Sequence, residues 1–170
     1  MKDRIHTVAF YPVKTEKNIK ELCCLAEKIW HEHFTPIIGA AQVDYMVERF
    51  QSVPAVTQQL KEGYAYYLLL LEGRAVGYMG VHEEEESLFL SKLYLSRENR
   101  GKGYSRQALN FLEDLCRQRG LTKIWLTVNR RNDKTIAAYK AMGLTVAREQ
   151  KTDIGGGFVM DDYIMEKPVV

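Results

Sequence analysis

At 170 residues, the chain has room for one domain with a core of two or three layers. Apolar residues make up 46% and charged residues 27%, as in an ordinary globular protein, and a net charge of +2 is too small to argue for nucleic acid or an anionic membrane as partner. Three cysteines, Cys23, Cys24 and Cys116, are too few for a disulfide scaffold and point to free thiols in a cytoplasmic protein.

Residues 1–11 are polar and mixed, without the apolar run of a signal peptide, and residues 4–11 read as a first strand. Residues 19–33 carry Leu22, Leu25, Ala26 and Ile29 at helical spacing, and Pro36 is expected to end that helix. Residues 43–50 and 54–60 read as further helical turns, with Pro54 suited to a helix start. Two strands follow at 64–71 and 75–82, joined by the turn Glu72, Gly73, Arg74. The first of these is the longest apolar run, of strand length and far short of a membrane span. Glu83, Glu84, Glu85 and Glu86 make the next turn, into a strand over 88–95. Residues 104–119 form an amphipathic helix with the apolar stripe Ala108, Leu109, Leu112, Leu115 and Cys116, stopped by Gly120. Residues 123–128 are nearly continuous in apolar residues, as a strand covered on both faces would be. A helix over 133–142 and an antiparallel pair at 144–149 and 158–166 complete the chain, with Gly155, Gly156 and Gly157 in the last connection. The strand–helix–strand unit over 88–128 should be a right-handed parallel crossover and the other pairings antiparallel. The expected fold class is therefore α/β of the α+β type, a mixed and mostly antiparallel sheet flanked by helices.

The most informative segment runs from Arg97 to Arg106, between the strand and the amphipathic helix. A strand that enters a basic, Gly-bearing turn and then a helix builds an anion site. The helix start leaves N–H groups unpaired, glycines allow close backbone approach, and Arg and Lys add charge. The segment lacks the G-x-x-x-x-G-K-[ST] of a P-loop. It also fails G-x-G-x-x-G at Arg106, where close helix–strand packing calls for a small residue. A second constellation follows the next strand: Asn132 and Tyr139, seven residues apart and so on one face of a helix.

Arg100, Gly101, Lys102, Gly103, Tyr104 and Ser105 resemble the acyl-CoA signature [R/Q]-x-x-G-x-[G/A] of the GCN5-related N-acetyltransferases, with Ser105 in place of Gly or Ala. The stretch from Asn129 through Asn132, Ala137, Ala138 and Tyr139 to Gly143 and Leu144 is similar to a later motif of that family, with Leu144 for Phe and the alanine displaced. The resemblance covers about residues 88–165. It implies a sheet splayed between the strand ending at Leu95 and the strand at 123–128, with the pantetheine arm of acetyl-CoA in the opening. Leu93, Tyr94 and Leu95 would pair with that arm through their backbone. The N–H groups of Gly101, Lys102, Gly103, Tyr104, Ser105 and Arg106 would hold the pyrophosphate, and Asn132 and Tyr139 would complete the cofactor site. Arg97, Arg100, Lys102, Arg130 and Arg131 are candidates for phosphate charge.

The implied reaction is acetyl transfer from acetyl-CoA directly to a primary amine of a small molecule, such as a polyamine, or of a peptide. Backbone N–H polarises the thioester carbonyl and Tyr139 protonates the leaving thiolate. Relatives often carry Glu near Ser91, which cannot serve as base, so a water relayed to a backbone carbonyl or to one of Glu83 to Glu86 is the expected substitute. Trp30, Phe34, Tyr78 and Asp161, with Asp162 beside it, are candidate acceptor-site residues. No metal site is expected: His31 and His33 face different ways, and His6 and His82 have no ligand-spaced partners. Relatives are often dimers, so a homodimer fits the resemblance. The rival is a non-catalytic acyl-CoA-binding or regulatory domain of the same fold, and a nucleotide-binding protein is a third option.

Overall fold

A computed structural model describes residues 6–170. The first strand, β1, is Ala9–Pro12; residues 4 and 5 of the expected strand lie outside the described residues. Helix α1 (Glu16–Ile38) starts earlier than the apolar spacing predicts, because Thr15 caps it and accepts the Asn18 N–H at 3.1 Å. It also continues through Pro36. That proline sits in the last turn, where it removes one hydrogen bond only, and the Gly39 N–H closes the helix on the Thr35 carbonyl at 3.0 Å. Helices α2 (Ala40–Gln51) and α3 (Val53–Lys61) follow, the latter capped by Ser52 with Pro54 in its first turn.

Strands β2 (Tyr64–Leu71) and β3 (Arg74–Glu83) form the expected hairpin. Glu72 and Gly73 both take positive φ, 52° and 80°, as a two-residue turn between right-twisted strands requires. Next come β4 (Ser87–Leu95), α4 (Tyr104–Arg119), β5 (Lys123–Asn129) and α5 (Asp133–Ala141). The closing pair, β6 (Thr145–Gly155) and β7 (Phe158–Pro168), is longer than the sequence suggests, and its glycines make the tight turn.

The seven strands form one sheet in the order β1-β2-β3-β4-β5-β7-β6. Among the described residues only the β4–β5 pair is parallel, as the crossover through α4 predicts. The sheet is covered on both faces. Leu88, Leu90, Leu93 and Leu95 of β4 pack with α4 residues Ala108, Leu109 and Leu112 and with Tyr139 of α5. On the other face Tyr66, Leu68 and Tyr78 meet Leu22, Ile29, Trp30 and Phe34 of α1 and Val43 and Met46 of α2. Among the described residues no helix is long and apolar enough to cross a membrane.

Candidate active site

Strand β4 carries the feature that shapes the site. Its pairing with β3 runs Gly80 to Lys92 and then Val81 to Leu90, so Ser91 is an extra residue with no partner. The bulge shifts the side-chain alternation by one. Leu88 and Leu90 before it, and Leu93 and Leu95 after it, all enter the core under α4. Lys92 is turned away from that core into the space under α1–α3 with Tyr94, which packs among that face's aromatics. The parallel pairing of β4 with β5 stops at Leu90 and Leu126. Beyond it the facing edges part, and Leu93, Tyr94 and Leu95 lie on the free edge of β4. A cavity of about 390 Å³ occupies the gap and extends under the early helices.

Beyond β4 the chain makes a short 3-10 turn, Arg97–Asn99, and then the glycine turn. Arg100 is turned back on the strand, its Nε donating to the Leu95 carbonyl at 3.1 Å. Gly101 and Gly103 take φ of 73° and 84°, a region that other residues enter only with strain. Gly103 is the N-cap of α4 and supplies no side-chain cap, so the first-turn N–H groups of Tyr104, Ser105 and Arg106 remain open for an anion. Lys102 is exposed, Tyr104 is buried in the core, and Ser105 is half-buried. Arg106 is exposed and reaches the Ala141 carbonyl at the end of α5. Arg130 pairs instead with Glu149 at 2.9 Å and Asp161 at 3.0 Å, which turns it away from the phosphate role open to it in the sequence.

Helix α5 closes the splayed side. Asn132 is its N-cap residue, yet its side chain does not cap the helix. Asn132 Nδ2 lies 3.1 Å from Nε2 of His33 on α1. Burial and the Arg100 charge push the His33 pKa down, so the neutral ring accepts from the amide and leaves the Asn132 carbonyl oxygen for another donor. One and two turns on, Thr135 and Tyr139 line the same cavity. The Tyr139 hydroxyl has no hydrogen-bond partner among the described residues, and burial raises its pKa, keeping the phenol protonated.

The other end of the cavity is aromatic. Trp30 and Phe34 line it, with ring centroids 4.5 Å apart, and both meet the Tyr94 ring edge-on at 5.3 Å and 5.6 Å. Tyr78, an expected lining residue, is not one: it is fully buried behind the wall, because its position on β3 places it beneath Tyr94. Its hydroxyl accepts from Trp30 Nε1 at 2.8 Å and donates to Gln51 Oε1 at 2.9 Å, which holds Trp30 in place. Asp161 is likewise not a lining residue; on the opposite side of β7 it pairs with Arg130. Two carboxylates line the cavity: exposed Glu62 at its rim, and the neighbour of Asp161, Asp162, which is 6% exposed and opposite Asn129 of β5. Burial first, and the Asp161 charge second, raise its pKa to about 6. Helix α2 fixes this wall: Tyr45 donates to the Ile154 carbonyl at 2.8 Å, and Gln42 to the Val159 carbonyl at 3.2 Å, anchoring the β6–β7 hairpin.

Glu83 to Glu86, expected as a relay for the base, stand exposed around the turn before β4 and do not line the cavity, although Tyr64 and Phe89 near that turn do. Glu83 there pairs with Arg119 at 3.2 Å. Three residues that line the cavity were not singled out from the sequence, Lys92, Gln51 and Gln59, and His33 was weighed there only as a metal ligand. Lys92 had a visible signal, as the only charge inside the apolar run of β4; the glutamines and the histidine had none.

The sequence profile of the acetyltransferase (GNAT) family matches residues 26–144. Among solved structures, the chain is similar to the PaiA N-acetyltransferase of Thermoplasma acidophilum in complex with coenzyme A, with TM-score 0.77 and 18% identity over 95% of this chain and 99% of that one. A GCN5-related N-acetyltransferase of Rhodopseudomonas palustris superposes with TM-score 0.79 at 14% identity, over 99% of both chains. The ribosomal-protein-S18-alanine N-acetyltransferase of Escherichia coli does so with TM-score 0.71 at 16% identity, over 96% of this chain and 94% of that one. No curated protein matches the chain in sequence.

Proposed function

Because the chain belongs to the acetyltransferase (GNAT) family, acetyl-CoA-dependent N-acetyltransferases, we propose that its 170 residues act as one domain that acetylates a primary amine of a small molecule in the space under α1–α3. The observation that carries this reading is the single continuous cavity. It joins a splayed strand pair and a free tyrosine hydroxyl on one side to an aromatic pocket with a buried carboxylate on the other. A non-catalytic binding domain has no need of that second half.

In this reading the pyrophosphate of acetyl-CoA rests on the open N–H groups of Gly101, Lys102, Gly103, Tyr104, Ser105 and Arg106. The pantetheine arm runs along the free edge of β4 at Leu93, Tyr94 and Leu95, and the Asn132 carbonyl accepts from an amide of the arm. Asp162 takes a proton from the acceptor ammonium. The amine lone pair attacks the thioester carbonyl, whose oxygen gains negative charge stabilised by backbone N–H at the bulge. The carbon–sulfur bond then breaks. Tyr139 donates a hydrogen bond to the departing sulfur, and the proton lost by the new amide nitrogen balances the one the thiolate gains. Trp30 and Phe34 provide the apolar walls for the acceptor. Free Cys23, Cys24 and Cys116 suit a cytoplasmic setting.

The test is release of free CoA thiol from acetyl-CoA in the presence of a panel of primary amines. Turnover with at least one amine is expected, and Tyr139→Phe should lower kcat by about 100-fold with little change in acetyl-CoA binding. Tight acetyl-CoA binding without turnover on any amine would favour the regulatory-domain rival.

A further inference from the structure

The aromatic end of the cavity contains a lysine amine with no counter-ion. Lys92 is 8% exposed and lines the cavity. Among the described residues no carboxylate lies within 4.0 Å of its Nζ. Its neighbours are neutral: Gln59 Oε1 at 2.9 Å, the Tyr66 hydroxyl, and the Tyr66 ring with its centroid 4.9 Å away. These contacts are built for it. Gly80, between Tyr66 and Lys92 in the sheet, has no side chain to block the ring; a Cβ there would stand 2.9 Å from the ring of Tyr66. Gln59 is fixed in turn, its Nε2 donating to the Phe50 carbonyl at 3.0 Å. An ammonium has three N–H donors, and two are used here.

A second donor lies in the wall between this cavity and a second pocket beside α1 and α2, both of which its residue lines. Gln51 is 1% exposed, lines the cavity, and its Nε2 has no partner among the described residues. The relay from Trp30 through Tyr78 fixes which end of the amide this is. The indole N–H can only donate, so the buried Tyr78 proton goes to Gln51 Oε1, and the NH₂ group is left over. The wall therefore offers one buried amine, which an anion would hold in its charged form, and one buried amide donor. Leaving such groups unsatisfied costs stability, and a ligand carboxylate would satisfy both.

We propose that Lys92 and Gln51 bind a carboxylate carried by the acceptor, so that the acceptor is an amino-carboxylate with an apolar or aromatic body. This rests on the acetyl-transfer reading for the role of the amine. Its amine lies toward Asp162, and its carboxylate reaches Lys92. Both residues rise from one sheet face with β5 between their strands, and because β4 and β5 part beyond Leu90 their backbones stand farther apart than two inter-strand steps of about 10 Å in all. Trp30, Phe34, Phe50 and Phe89 line the space between and fit an apolar body. A polyamine, cationic at both ends, would meet Lys92 with like charge.

The experiment uses matched pairs that differ only in the carboxylate and carry it at the far end of the body from the amine: lysine with 1,5-diaminopentane, 6-aminohexanoate with pentylamine, and 4-(aminomethyl)benzoate with benzylamine. Each is measured by thiol release and by calorimetric binding to the CoA-loaded protein. In at least one pair the carboxylate-bearing member should be favoured about tenfold or more, chiefly through KM. Lys92→Met should erase that preference, and Gln51→Met should reduce it, which keeps the test decisive should the first variant fail to fold. Preference in binding without turnover on any amine would support the carboxylate site and sink the acetyl-transfer reading. Absence of preference in both readouts across all pairs overturns the proposal. So does a loss of kcat in Lys92→Met that is equal for both members of each pair, because that marks a proton acceptor.

Discussion

Asp162 and Lys92 are opposite charges walled into one cavity, and burial moves each toward neutrality, which gives each a pH signature of its own. The Asp162 pKa is raised to about 6 from 3.8, and it accepts a proton only when ionised. Its kcat/KM should therefore fall about tenfold per pH unit as pH drops below 6, and Asp162→Asn should lose that limb. Lys92 acts on stability. Its pKa is lowered from 10.5 to about 7, so between those values the unfolded chain holds more protons than the folded one. Stability of the ligand-free protein should rise with pH from about 7 to 9, below the range in which Cys23 and Cys116, pushed up from 9.0 to about 11 by burial, act in the opposite sense. Thermal melts across it should show the slope, and Lys92→Met should flatten it while raising Tm at pH 7. Residues of this kind were unevenly legible. The Asn132 and Tyr139 pair stood out through spacing on a helix. Asp161 and Asp162 were indistinguishable until strand pairing assigned them to opposite faces. The glutamines Gln51 and Gln59 act only through partners distant in sequence, which no local pattern encodes.

At the scale of elements, the strand β4 does more than its expected role as a wall. Its apolar residues are spaced by two, then three, then two, at Leu88, Leu90, Leu93 and Leu95. That interval is the written trace of the bulge at Ser91, and reading it as one unbroken strand hid Lys92. Strand β3 accommodates it with a glycine: a Cβ on Gly77 would stand 2.4 Å from the Tyr94 carbonyl oxygen. Gly77→Ala should therefore cost about 1–3 kcal/mol and shift the β4 backbone, lowering Tm and raising the KM for acetyl-CoA. The hairpin turn, the crossover through α4 and the helix stop at Gly120 were readable because each depends on a few adjacent residues. The extension of α1 past Pro36 was not. A proline breaks a helix from the interior, whereas in a last turn it removes a single hydrogen bond, and only the Gly39 closure on Thr35 reveals which of the two applies.

Across the whole molecule, the two faces of the sheet divide the work. The α4 and α5 face is an apolar core that carries the glycine turn and Tyr139, the motifs that are legible in the sequence. The α1–α3 face is assembled from helices, β2 and the β6–β7 hairpin, which α2 anchors through Tyr45 and Gln42. Recognition of the acceptor depends on these distant segments meeting, so it left little mark in the sequence beyond scattered aromatics. One consequence of that arrangement is optical. The chain has two tryptophans. Trp30 lines the cavity with its indole N–H tied to Tyr78, and Trp125 stacks at 4.1 Å on Phe89, which lines it too. Both emitters thus report on the same chamber. Filling it should shift the intrinsic fluorescence, and in Trp125→Phe the remaining signal should follow acceptor occupancy through Trp30 alone. A titration that leaves the emission unchanged would place the ligand elsewhere, so the protein carries its own unlabelled gauge of when the chamber is full.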